Sequence, residues 1–76
     1  MNDARRKDIE KATALIEEAK GILEQAQSEE QEYFDNMPEN MQSGDKGQRA
    51  EAAADALQSA VDSLDEAVSN IEQSLE

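Results

Sequence analysis

The chain has no cysteine, histidine or tryptophan, and only one tyrosine, one phenylalanine and one proline. The absence of cysteine excludes disulfide bonds, thiolate nucleophiles and cysteine-ligated zinc. Without histidine, the paired E-x-x-H motifs of di-iron helical bundles cannot occur. The carboxylates and lysines that remain form no recognised catalytic or metal-binding motif. We therefore expect a protein that is not an enzyme and that has no metal site and no cofactor.

Long apolar runs and positive charge are also scarce. No run approaches the roughly 20 apolar residues that cross a bilayer, and the basic start MNDARRK lacks the apolar segment of a signal peptide. Seven basic residues stand against 19 acidic ones, which gives a net charge of −12. Nucleic acid and anionic membranes repel such a chain. We expect no direct binding to nucleic acid or membrane, and a partner with a basic surface instead.

The first half of the chain predicts one long helix from about residue 3 to about residue 35. Its apolar residues alternate steps of three and four, which is the heptad pattern of a coiled coil. Large side chains occupy one seam position, alanines occupy the other, and two further residues widen the stripe: Ile9, Ile16 and Leu23; Ala12, Ala19 and Ala26; Leu15 and Ile22.

The second half predicts a helix from about residue 46 to about residue 75, with a stricter repeat of seven residues. Three sets of residues recur at fixed positions: Ala53, Ala60 and Ala67; Ala54, Val61, Val68 and Leu75; Leu57, Leu64 and Ile71. A repeat sustained over three units favours a supercoiled partner helix.

Residues 36–45 predict a polar loop. Pro38 ends the first helix, because the residue before a proline disfavours helical geometry, and it is also well placed to open a short turn. Met37 and Met41 would then lie one turn apart and face the same way.

The start of the second helix carries a possible capping box, Asp45 followed by Gln48, with Ser43 as a competing cap. Gly44 and Gly47 are expected to loosen this stretch of chain.

A short loop between two helices of similar length predicts antiparallel pairing. For residues 1–76 we expect a single all-α domain, a coiled-coil-like two-helix hairpin. Short chains form marginal cores, and the apolar positions exceed what one hairpin can bury. Two hairpins are therefore expected to pair into a four-helix bundle or a larger homo-oligomer, with two-fold symmetry the commonest choice. The alternative is one continuous helix running through Pro38.

Glu30 occupies a seam position where Leu or Ile is expected, and a charge there needs a partner. Folding the hairpin at residues 36–45 brings Arg49 near Glu30. We expect a structural ion pair that fixes the helix register; the alternative is that Glu30 binds a partner.

The only cluster of bulky side chains lies at the loop end of the hairpin and consists of Tyr33, Phe34, Met37 and Met41. It is interpreted either as a hydrophobic lid on the bundle or as an adaptable contact surface for a partner.

Acidic residues dominate most of the rod. Residues 21–45 contain seven acids and no base, and the chain after Arg49 again contains seven acids and no base. Surfaces of mixed sign are usual for a soluble bundle, whereas a rod of carboxylates can imitate the phosphates of nucleic acid in a basic groove. The candidate partner-binding acids are Glu17, Glu24 and Glu32 on the first helix and Asp55, Asp62, Asp65, Glu66 and Glu72 on the second.

The opening ARRKDIEKA, the segment SEEQEYFDNMPENMQSGDKGQRAEAAADAL and the closing alanine and leucine heptads together resemble small acidic proteins encoded by phages and prophages. The central YFDNMPENMQ is the specific part of the likeness. The resemblance implies a mobile-element origin, a small helical fold and the cytoplasm of a bacterial host. It carries over no activity and no site residues.

Three functions follow as hypotheses. The first is a phage-type interaction protein that blocks or sequesters a host or defence factor through its acidic surface. The second is a structural or regulatory homo-oligomer in which the charge only ensures solubility. The third is an oligomeric sponge for a small anion, with Lys46, Arg49 and Tyr33 lining the site.

Overall fold

The computed structural model describes all residues from Met1 to Glu76 as three helices joined by short turns. Helix α1 spans Asp3–Asp35, the single turn α2 spans Glu39–Gln42, and α3 spans Asp45–Ser74. Helices α1 and α3 pack along their length into a rod of 58 × 15 × 13 Å. The Arg6 guanidinium donates to the Leu75 carbonyl at 2.9 Å, so the two chain ends lie together and the helices are antiparallel. The all-helical, hairpin-like architecture expected from the heptads is confirmed.

The helix ends show which caps the sequence uses. The Asn2 side chain accepts a hydrogen bond from the Arg5 amide at 2.8 Å and so caps α1. Pro38 precedes α2 and opens this turn, as predicted. The predicted Asp45–Gln48 capping box is wrong: Gly44 is the N-cap of α3 and makes no side-chain bond. The Gln48 side-chain amide donates instead to the Ser43 carbonyl at 3.0 Å, which ties the turn to the helix.

Burial on α3 follows the predicted seam. Ala54, Val61 and Val68 are buried, with 0%, 5% and 9% of their surface exposed, and Leu57 and Leu64 between them are half-buried. The apolar seam of α3 is the main core of the hairpin.

The seam of α1 differs from the prediction. Ile9, Ile16 and Leu23 are half-buried against α3. Of the three predicted alanines, Ala26 is half-buried, but Ala12 and Ala19 are exposed and do not form the second seam position. We call a set of residues spaced seven apart on one helix a row. The second seam position belongs to a row of mostly polar, half-buried residues on the other side of the isoleucines: Arg6, Thr13, Lys20, Gln27 and Phe34. Two of these long side chains have partners across the hairpin, since Arg6 donates to the carbonyl of Leu75, the C-cap residue of α3, and Lys20 pairs with Asp65 on α3.

The loop end is tightly packed rather than loose. An ideal Cβ on the buried Gly47 would lie 2.5 Å from the Cα and the carbonyl carbon of Gln42, so α2 rests directly on the backbone of α3. The expectation that Gly47 loosens the turn is therefore wrong. Met37 is buried at 8% exposure while Met41 is 42% exposed, so the two methionines do not face the same way.

Candidate functional site

Lys20 marks one side of the hairpin. Its Nζ lies 2.6 Å from Asp65 Oδ1 on α3 and 3.8 Å from Glu17 Oε2 on its own helix. Residues seven apart share one face of a coiled-coil helix, so the rows that contain Glu17 and Asp65 run along this same side. Acids from both helices thus border one lateral surface of the rod.

We call this surface the acidic face. It contains nine exposed carboxylates from three neighbouring rows, one on α1 and two on α3: Asp3, Glu10, Glu17 and Glu24; Glu51, Asp65 and Glu72; Asp55 and Asp62. Along each row the positions repeat about every 10 Å, since seven helical residues rise by 1.5 Å each. Because α1 and α3 both contribute rows, acids are distributed across the width of the face as well as along its length.

Six of the acids proposed from the sequence lie on the acidic face: Glu17, Glu24, Asp55, Asp62, Asp65 and Glu72. Glu66 and Glu32 do not, because their rows lie on the outer sides of α3 and α1, turned away from the other helix. Asp3, Glu10 and Glu51 also lie on the acidic face, although they are not among the predicted acids. Their spacing of seven or fourteen residues from Glu17 or Asp65 was the signal that could have found them.

Lys20 lies at the seam beside the acidic face, and its side chain is only 23% exposed. The hydrogen bond that it donates to Asp65 raises the pKa of Lys20 above the ordinary value of 10.5, against a smaller opposing effect of burial. The negative charges of Asp65, Glu17 and Glu24 add to this rise. Lys20 is therefore held as a cation beneath the carboxylates, where it ties the two helices together.

The opposite side of the hairpin carries a shallow pocket of about 350 Å³ near the loop end. Glu30, Tyr33, Lys46, Arg49, Ala50 and Ala53 line it. The structure thus brings Glu30 and Arg49 to one pocket, but it forms no salt bridge between them, and the only ion pairs of the chain are those of Lys20. Glu30 is half-buried and Arg49 exposed, so water solvates both charges and the predicted ion pair is not needed.

The bulky cluster at the loop end is divided by the fold. Met37 is buried and Phe34 half-buried beneath the turn, where the Phe34 carbonyl accepts a hydrogen bond from the Gln42 side-chain amide at 3.1 Å. Tyr33 and Met41 are 52% and 42% exposed. Two members of the cluster therefore close the end of the hairpin, and two remain accessible to a partner.

None of the three helices combines the length and the apolar character that a bilayer span requires. In the comparisons with known proteins, no protein-family model, curated protein or solved structure matches the chain.

Proposed function

We propose that this protein is a phage-type interaction protein whose acidic face occupies a basic groove on a host or defence protein. The observation that supports the proposal most directly is the convergence of acids from both helices on one side of the rod. A surface that merely kept the chain soluble would interleave both signs of charge. The acidic face holds nine carboxylates and no base, and the neighbouring Lys20 is paired with Glu17 and Asp65.

The geometry of the face suits a groove that normally holds a nucleic acid. One helical row places an acid about every 10 Å, which alone is too sparse to imitate a phosphate backbone. Rows from α1 and α3 together fill the gaps, and the rod is 58 Å long. The charge attracts basic surfaces and repels nucleic acid itself, so the partner is a protein that binds nucleic acid.

The experiment compares two triple variants with the same change in net charge. The first reverses acids on the acidic face: Glu24→Lys, Asp55→Lys and Asp62→Lys. The matched control reverses exposed acids on the outer sides of the helices: Glu18→Lys, Glu32→Lys and Glu66→Lys. Neither variant alters Glu17 or Asp65, so the bridge to Lys20 remains. Circular dichroism should show full helical content for both.

Wild-type protein and the control should retain the same basic protein from bacterial lysate, and the acidic-face variant should lose it. Binding to the purified partner should weaken steeply with salt and should be displaced by duplex DNA or RNA. Equal loss in both triple variants would show that only total charge matters. Retention by the acidic-face variant would refute the proposal.

A second candidate function rests on the loop-end pocket. Lys46, Arg49 and Tyr33 line it together, so two cations and a phenol can contact a small acidic ligand, with Glu30 opposing them. Calorimetry with inorganic phosphate and with nucleoside phosphates tests this hypothesis. A Lys46→Gln, Arg49→Gln variant should abolish any heat of binding while leaving the acidic face unchanged, and absence of binding by wild-type protein would reject it.

A further inference from the structure

A single hairpin leaves an unusual amount of apolar surface in water. Leu15 and Ile22 are 57% and 66% exposed, although they lie in the middle of α1. Only six of 76 residues are buried, and no large side chain is completely enclosed. A single hairpin therefore leaves large apolar side chains in water that a complete hydrophobic core would bury.

Exposed and half-buried apolar residues form a surface opposite the acidic face. Tyr33 and Ala53 line the same pocket, so their rows run along one side of the seam. We call this surface the alanine face. It consists of these rows and the next row outward on each helix. The apolar residues of the face are Ala12, Leu15, Ala19, Ile22, Ala26, Tyr33, Ala53, Ala56, Ala60 and Ala67.

We propose that two copies of the chain pair through their alanine faces to form a four-helix bundle. The proposal does not depend on the acidic face having a partner. The hairpin exposes 5508 Å², whereas a compact monomer of 8.4 kDa exposes about 4,600 Å². The excess of about 900 Å² is close to the roughly 800 Å² that each partner buries in a standard interface.

Charge also identifies a second copy as the occupant. Each chain carries −12, so two copies can approach only through a side with little charge. The rows of the alanine face contain three bases and two acids: Arg5, Lys46, Arg49, Asp8 and Glu29. Pairing on this side therefore avoids like charges and leaves both acidic faces pointing outward.

The shapes of the two helices are complementary to each other on this face. Helix α1 presents the bulky Leu15 and Ile22, whereas the matching outer row of α3 is small, with Ala56 and Ser63 at its centre. A two-fold axis along the rod lays α1 of each copy over α3 of the other, so that large residues enter the gaps above small ones.

The orientation of the pair follows from the same charges. A two-fold axis along the rod puts the loop ends of both copies at the same end of the bundle. Within one hairpin Glu30 and Arg49 share a pocket, so they lie at similar heights along the rod. Glu29 of one copy therefore lies near the height of Arg49 of the partner copy. An axis across the rod would place Leu15 of one copy on Ile22 of the other, but it would also place Asp8 of one copy against Glu29 of the other. The first arrangement pairs opposite charges, and the second opposes like ones.

Sedimentation equilibrium and light scattering test the pairing. Wild-type protein should have twice the 8.4 kDa chain mass at micromolar concentration. The double variant Leu15→Gln, Ile22→Gln should raise the dissociation constant about tenfold or more per side chain removed. The matched control Ala14→Gln, Ala52→Gln changes exposed residues outside the face and should stay dimeric. If the first variant loses helical content, the milder Ser63→Glu variant should show the same weakening with its helices intact.

A wild-type monomer, or a dimer that the Leu15 and Ile22 changes do not weaken, would overturn the proposal. Because the chain has no cysteine, a single Met41→Cys change allows one spin label per copy at the exposed loop end. The label-to-label distance should be short compared with the rod. A distance near the 58 Å rod length would refute the two-fold axis along the rod.

Discussion

Replacing Gly47 with alanine should destabilise the protein, although alanine is the better helix former. An added Cβ would lie 2.5 Å from two backbone carbons of Gln42, whereas ordinary carbon contacts are about 3.5–4.0 Å. The Gln42 backbone must therefore move by about 1 Å, and its side chain, which donates to the Phe34 carbonyl, is disturbed with it. Overpacking of this kind costs about 1–3 kcal/mol, offset by about 1 kcal/mol of helix propensity.

The matched control is Gly21→Ala, in the middle of α1. No atom lies within 4 Å of a Cβ at that position, so the change should stabilise the protein by about 0.5–1 kcal/mol through helix propensity alone. Urea unfolding followed by circular dichroism, at one fixed protein concentration, measures both changes. If Gly47→Ala were as stable as Gly21→Ala, the close approach of α2 to α3 would be refuted.

Three further outcomes follow from the same contacts. Val61→Asp should unfold the hairpin, because an unpaired charge at a position 5% exposed costs several kcal/mol; a cooperative thermal transition like that of wild type would contradict the assigned seam. Met37→Ala should cost about 2–5 kcal/mol in urea unfolding because Met37 is buried, whereas the exposed Met41→Ala should change stability by less than about 0.5 kcal/mol. Since the pKa of Lys20 is raised in the folded state, its contribution to stability should be complete below pH 10.5 and should fall as the pH rises through the folded-state pKa. Asp65→Asn should reduce this alkaline loss, and an identical pH profile for variant and wild type would refute the bridge.

The sequence predicts the helices well because their signals are local. A proline, a polar loop and two runs of heptads determine where each helix begins and ends to within about one or two residues. Gly47 shows the limit of such signals. Nothing in its neighbours indicates that the Gln42 backbone passes within contact distance, because that approach depends on how α2 folds over α3.

The side of α1 that faces α3 was harder to predict. The row of Ile16 has alanines on one flank and the row of Lys20 on the other, and hydrophobicity alone favours the alanines. Hydrophobicity therefore predicts the alanine flank at the seam of a single hairpin, which is wrong for the exposed Ala12 and Ala19. The overlooked signal was a carboxylate on α3 that could pair with Lys20, and Asp65 supplies it.

The position of Lys20 connects the chemistry of the two faces. Lys20 lies at the seam and pairs with Glu17 and Asp65, so both acids lie on the flank toward which its side chain extends. Helix α1 then turns its other flank, with Leu15 and Ile22, to the opposite side, where the alanines of α3 also lie. One polar residue at the helix interface thus separates a charged surface from an apolar one. In the proposed pair the apolar surfaces meet, and the two acidic faces lie on opposite sides of the bundle, each free to contact a basic partner.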